Sequence, residues 1–235
     1  DGEDRSPLSA IFQDVTVLPL DETLESLRGL VSADLAGGGE ESEDGKKARE
    51  LQKDFAELTE DERAMLTLYT IEMYPREKSF YYLMNAALRS SNRHEAVKPW
   101  RHAIWLLLMA MRKLPPVRDR VLQRGVKKDR KQTREGAEFV WSSFSSTTSH
   151  VGSLQAFLGT EGPRTKWLLE LRSDFHAVSI QPFSLCPGEF EMLLPPNVEF
   201  LVKSTYNHGN GLTEVQCIQL EETEPLMDFS TKAPA

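Results

Sequence analysis

Glu189 and Glu191 stand two residues apart in Gly188-Glu189-Phe190-Glu191-Met192-Leu193-Leu194-Pro195-Pro196, at the entrance to an apolar run. Side chains alternate between the faces of an extended strand, so this spacing turns both carboxylates one way and Phe190, Met192 and Leu194 the other. Two acids on one strand face, about 6–7 Å apart at the strand rise, can serve two reacting partners. Upstream, Val121-Leu122-Gln123-Arg124-Gly125-Val126 reads as a short strand with an embedded arginine followed by glycine. Between the two, Phe139 to Phe144 reads as an aromatic strand running into the hydroxyl cluster Ser145-Ser146-Thr147-Thr148-Ser149. Arginine, then hydroxyls, then Glu-x-Glu, in that order, is the pattern that a glycosyl-transfer reading needs.

Other constellations fall away. The five His residues show no metal-ligand spacing, so no metal is expected. No Ser-His-Asp or Cys-His arrangement is readable. Gly37-Gly38-Gly39 follows no strand, precedes no Gly-Lys-Ser/Thr and sits among acids, and reads as a flexible linker through Lys47. The basic run from Lys127 to Arg134 reads as a solvated loop.

The elements that must position the acids are legible in outline. Val15 to Leu20 has the character of an extended piece. Thr59-Glu60-Asp61-Glu62 is a capping box, and Met65, Leu66, Tyr69 and Met73 follow at helical spacing. Ser79 to Arg89 repeats that pattern, and Pro99 opens a third helix, with Trp100, Ile104, Leu107, Leu108 and Met111 inward, that Pro115-Pro116 ends. After Pro116 the hydrophobic period changes to 2. Strands are expected over Arg120 to Val126, Phe139 to Phe144, Lys166 to Arg172, Ala177 to Ile180, Glu189 to Leu194, Phe200 to Tyr206 and Glu214 to Leu220. Helices first and strands afterwards predict an α+β chain. The expected division is an N-terminal segment with the Gly-rich linker (1–50), a helical subdomain (51–116), a β-rich catalytic core (117–222) and a tail (223–235).

At 235 residues with 40% hydrophobic content the chain can bury a substantial core. A formal net charge of −8 argues against nucleic-acid binding, which needs a basic footprint, and suits a cationic acceptor. Two cysteines, Cys186 and Cys217, are too few for a disulfide framework and favour a reducing compartment. Ala103 to Met111, the longest apolar run, is too short to span a membrane. The first residue is Asp1, with no initiator Met or signal-like run, as expected of a processed protein or an excised domain. A soluble protein of the cytoplasm, or a secreted effector acting in a host cytosol, fits these features.

From about Leu114 to about Leu220 the chain resembles the arginine-specific mono-ADP-ribosyltransferases of the Arg-Ser-Glu, cholera-toxin-like class. The Arg-Gly-Val strand carries this, with Phe144-Ser145-Ser146-Thr147-Thr148 for the family's Phe-x-Ser-Thr-Ser and Ile180-Gln181-Pro182-Phe183-Ser184 leading into the acids. Pro195-Pro196 and the closing Phe200-Leu201-Val202 strand are similar too. Gln123 replaces a common aromatic, Thr148 the last Ser, and His176 a turn glycine. The resemblance implies a helical block packed on a mixed, β-sandwich-like core split by an NAD cleft, with NAD consumed as a substrate.

Cleavage of NAD leaves an oxocarbenium-like ribosyl cation, which calls for a nearby anion and a distant anchor for the diphosphate. By resemblance, Glu191 would bond the nicotinamide ribose and stabilise the cation, Ser146 would orient Glu191, and Arg124 would hold the phosphates. Gly125 would offer backbone groups to the nicotinamide amide, with Thr147 and Phe157 lining the cofactor. Glu189, with Phe183 nearby, would receive the acceptor: a guanidinium is a poor nucleophile until a carboxylate binds and helps deprotonate it. The activity implied is transfer of ADP-ribose to arginine side chains of a target protein with release of nicotinamide. NAD glycohydrolysis in the same cleft and a non-catalytic NAD-binding module are the rivals.

Overall fold

The computed structural model describes residues 8–12, 15–16, 18–27, 55, 57–128, 134–221, 227 and 229. The Gly-rich stretch from Gly37 to Lys47 lies outside them, as does most of the basic run after Lys128. The chain divides into two compact units: Asp1–Pro115 with Pro182–Pro187 and Leu226–Ala235, and Pro116–Gln181 with Gly188–Pro225. The short segment Pro182–Pro187 thus belongs with the helices, where the sequence had suggested the β-rich core.

The first unit is helical: α1 (Ser9–Phe12), α2 (Leu20–Ser26), α3 (Glu60–Thr70), α4 (Phe80–Leu88), α5 (Arg93–Val97) and α6 (Arg101–Lys113). Val15, Thr16, Leu18 and Pro19 precede α2 without forming a strand. The capping box at α3 is complete. Glu62 N–H donates to Thr59 Oγ1 at 3.2 Å and Thr59 N–H to a Glu62 carboxylate oxygen at 2.8 Å, satisfying two orphan donors. Glu62 also pairs with Lys113 at 2.9 Å. The helix stops at Thr70, because Ile71 is extended, so Met73 falls beyond it. In α6, Ala103, Ile104, Leu106, Leu107, Leu108, Ala110 and Met111 are all buried, a helix enclosed on most of its circumference. α5 was not foreseen.

The second unit is one eight-stranded mixed sheet in the order β2-β7-β8-β4-β1-β3-β6-β5. Its strands are β1 (Val121–Val126), β2 (Glu138–Trp141), β3 (Ser145–Thr148), β4 (Arg164–Glu170), β5 (Val178–Ser179), β6 (Glu191–Leu194), β7 (Val198–Gly209) and β8 (Leu212–Gln219). Among the described residues only β4 and β8 pair in parallel. Helix α7 (Val151–Leu158) follows β3, where no helix was expected. The core joins Leu122 of β1, Trp167 and Leu169 of β4, Phe200 and Val202 of β7, and Val215 and Cys217 of β8. Burial pushes the Cys217 thiol up to about 12.

Aromatic contacts show how this sheet encloses a core. β2 and β4 are three strands apart in the hydrogen-bonded order, about 14 Å in a flat sheet. Yet the Trp141 and Trp167 rings lie 5.7 Å apart and those of Phe139 and Trp167 5.3 Å apart. The sheet therefore folds over on itself, and β2 covers the middle strands as the second layer of a sandwich would. This fold is α+β, with one helical unit and one unit built on a mixed, curled sheet. Among the described residues no helix is long and apolar enough to cross a membrane.

Candidate active site

Three neighbouring strands, β1, β3 and β6, bring the singled-out residues together. The register pairs Gln123 with Thr148 and Thr148 with Glu191, and side chains directly opposite one another share a face. Ser146, two residues before Thr148, belongs to that face. Its hydroxyl hydrogen-bonds the Glu191 carboxylate. Arg124, on β1, donates from Nη1 to the Ser146 carbonyl at 2.5 Å. The Arg124 guanidinium also lies over the Trp141 ring, 5.7 Å from its centroid, a cation–π arrangement that the folding over of β2 creates. Trp141 was read from sequence only as part of an aromatic strand.

Glu191 is 8% exposed. Burial penalises its charge and pushes its pKa up to about 7, the Ser146 hydrogen bond and Arg124 opposing and the negative charge of Glu189 adding to the rise. A carboxyl placed near neutrality is a recurrent mark of functional sites.

Glu189 does not share a strand with Glu191. It ends the short turn Pro187–Glu189, and β6 begins only at Glu191. Between them Phe190 has φ 50°, in the left-handed region that a bulky side chain rarely enters. The alternation expected for a continuous strand therefore fails at that residue. Glu189 remains close enough for its charge to act on Glu191.

This turn is held from α7. His150 is the N-cap: its Nδ1 accepts from the Ser153 N–H at 3.2 Å, and its own N–H donates to Thr148 Oγ1 at 3.0 Å. Ser153 Oγ donates to the Gly188 carbonyl at 2.9 Å. The His150 and Phe190 rings lie 4.6 Å apart, tilted by 32°. Neither His150 nor Ser153 was singled out from sequence, although Leu154, Leu158 and Gly159 carry a helix-and-stop signal that would have led to the cap.

Thr147 and Phe183, both expected at the site, are buried. Thr147 donates its hydroxyl to the Met192 carbonyl at 2.8 Å, tying β3 to β6. Phe183 is fully buried, its ring 5.5 Å from that of Phe55, and is a core residue of the helical unit with no surface for an acceptor. The absence of a side chain at Gly125 is required by α7: an added Cβ would meet Leu158 Cγ at 2.8 Å and Leu154 Cδ1 at 3.2 Å. Phe157 stands exposed on α7.

The donor set fits a dinucleotide: a guanidinium for phosphate, a buried carboxyl for ribose hydroxyls, and the largely buried amide of Gln123. Gln123 Oε1 has no hydrogen-bond partner among the described residues. Among those residues no cluster of His, Cys, Asp and Glu could hold a metal ion.

Solved ADP-ribosyltransferases share the fold. Vis of Vibrio splendidus, in its complex with agmatine, matches with a TM-score of 0.55 at 19% identity, over 80% of this chain and 90% of Vis. HopU1 of Pseudomonas syringae pv. Tomato DC3000 matches at 0.59 and 18%, over 91% and 95%. The C3 exoenzyme of Clostridium limosum matches at 0.56 and 17%, over 80% and 100%. Among curated proteins no sequence matches significantly. The family model described as NAD:arginine ADP-ribosyltransferase matches residues 40–224, and the chain belongs to that family. It is an NAD-dependent ADP-ribosyltransferase that consumes NAD as a substrate.

Proposed function

We propose that this chain transfers ADP-ribose from NAD to the guanidinium of arginine in a target protein. The observation that carries the reading is Glu189, a second carboxylate on a clamped turn, whose charge reaches the buried Glu191. NAD supplies a glycosidic bond whose cleavage develops positive charge at the anomeric carbon. Glu191 sets a negative charge against it, and a cationic ligand beside Glu191 favours its ionised form. Ser146 holds the Glu191 carboxyl in place and Arg124 binds phosphate, with backbone groups of Gly125 and the ring of Phe157 at the nicotinamide side. Glu189 binds the acceptor guanidinium and takes its proton. The solved complex of Vis with agmatine, a small guanidinium compound, supports the same acceptor class.

Modification of agmatine and release of nicotinamide, measured on one preparation, test this reading. Glu189→Gln should lower transfer by about 10²-fold or more while NAD hydrolysis persists, and Glu191→Gln should remove both. Unchanged transfer by Glu189→Gln removes arginine as the acceptor. Normal nicotinamide release by Glu191→Gln removes Glu191 from bond cleavage.

A further inference from the structure

Pro187–Glu189 is a three-residue turn with a strained residue after it, and nothing in its own sequence prescribes one orientation for Glu189. Two contacts from the start of α7 hold the turn. Ser153 Oγ donates to Gly188, the residue before Glu189, and the His150 ring lies against Phe190, the residue after it. His150 and Ser153 are themselves joined, since His150 Nδ1 accepts the Ser153 N–H and lies 3.1 Å from Ser153 Oγ. The far end of the arrangement is tied to the strands through His150 N–H and Thr148 Oγ1, and Thr148 is the register partner of Glu191. The same element that begins beside Glu191 thus grips the turn on both sides of Glu189.

The pieces are built around the ring. A Cβ at residue 152 would lie 2.8 Å from His150 Cε1, so glycine at that position leaves the imidazole its place. Accepting a backbone N–H at Nδ1 requires that nitrogen to be unprotonated, so the capping form carries any ring proton on Nε2.

We propose that His150 is a positioning residue for the acceptor step: by capping α7 and stacking on Phe190 it clasps the turn and fixes Glu189 relative to Glu191. This rests on the reading of Glu189 as the acceptor's carboxylate. The clasp acts on Glu189 through its turn, whereas Glu191 stays in β6 under its own ladder and the Ser146 bond. Loosening it therefore alters transfer more than hydrolysis.

Two substitutions separate the ring from the cap. His150→Ala removes both; His150→Asn keeps a side chain that caps helices well but removes the ring. In the full chain, both variants should lose about 10–10²-fold in agmatine transfer, with a raised agmatine KM, while NAD hydrolysis and the KM for NAD stay within about threefold. His150→Asn should recover the melting temperature that His150→Ala loses without recovering transfer, and Phe190→Ala should reproduce the transfer defect. Hydrogen exchange of amides 188–190 should accelerate in all three variants. Wild-type transfer by His150→Asn, or parallel loss of both activities that Asn restores, overturns the proposal and leaves His150 a helix cap alone. If the wild-type chain leaves agmatine unmodified, the arginine reading falls and exchange decides the clasp: unchanged protection at 188–190 in the His150 variants overturns it, and lost protection upholds the fastening of Glu189.

Discussion

In the proposed reaction Glu191 is under two opposed demands, to be an anion at the reacting bond and to sit where water is nearly excluded. Its pKa near 7 is the result. The folded state holds this proton more tightly than the unfolded chain, whose glutamate titrates near the ordinary value of about 4.3. Between these two pH values the native protein binds more protons, so Glu191's contribution to stability is intact below about 4.3 and is lost as pH rises to about 7. Glu191→Gln removes the titration. It should leave stability unchanged relative to wild type near pH 4 and raise it above pH 8 by about 3 kcal/mol, read from urea midpoints across pH. A stability difference independent of pH would mean that Glu191 is not the buried titrating group. Arg124 makes a related point about shape. Its planar fork bonds the Ser146 carbonyl and covers Trp141 together, which a lysine ammonium cannot copy. Arg124→Lys should weaken NAD affinity about tenfold or more by calorimetry. Unchanged affinity would place the phosphate anchor elsewhere.

At the scale of elements, β1 and β6 are short strands, and their period-2 patterns were legible: Val121–Val126 and Glu191–Leu194 lie within two residues of expectation. The order Arg124, Ser146, Glu191 was readable because each residue sits in a short segment whose residue types and sequence order match the motif. Glu189 was not, because it depended on the conformation of Phe190, and a positive φ at a phenylalanine is imposed by its surroundings and leaves no local signature. β3 and α7 were hidden by composition. Ser145 to Thr148 holds hydroxyls where a buried strand usually shows aliphatics, and the eight residues of α7 supply little more than two turns of pattern. What ties α7 down is a contact distant in sequence, Leu154 and Leu158 against Gly125. Gly125→Ala should therefore cost about 1–3 kcal/mol of stability by overpacking. Combining it with Leu158→Ala should cost less than the sum of the two changes by about 1 kcal/mol, because the second makes room for the first. Strict additivity in a denaturant double-mutant cycle would mean that the glycine serves a ligand and not the helix.

Across the whole molecule, the chain leaves the strand-rich unit at Pro182, contributes Phe183 to the helical unit and returns at Gly188, immediately before Glu189. Its place before the acids suggested Phe183 as a contact for the acceptor. Burial decides for packing. Phe183 has no exposed surface, and its ring lies against Phe55. The residues just before Gly188 thereby belong to a unit whose other members are far away in sequence, an arrangement no reading of periodicity could supply. The two roles make different measurements. As core, Phe183→Ala removes a large buried ring and should cost about 3–5 kcal/mol of stability, seen as a lower urea midpoint. Under conditions where the variant is still folded, its agmatine KM should lie within about threefold of wild type, because truncation of a residue that touches no substrate removes no binding energy. A normal urea midpoint with a strongly raised agmatine KM would return Phe183 to the acceptor site and show that the turn opens in solution far enough to present it.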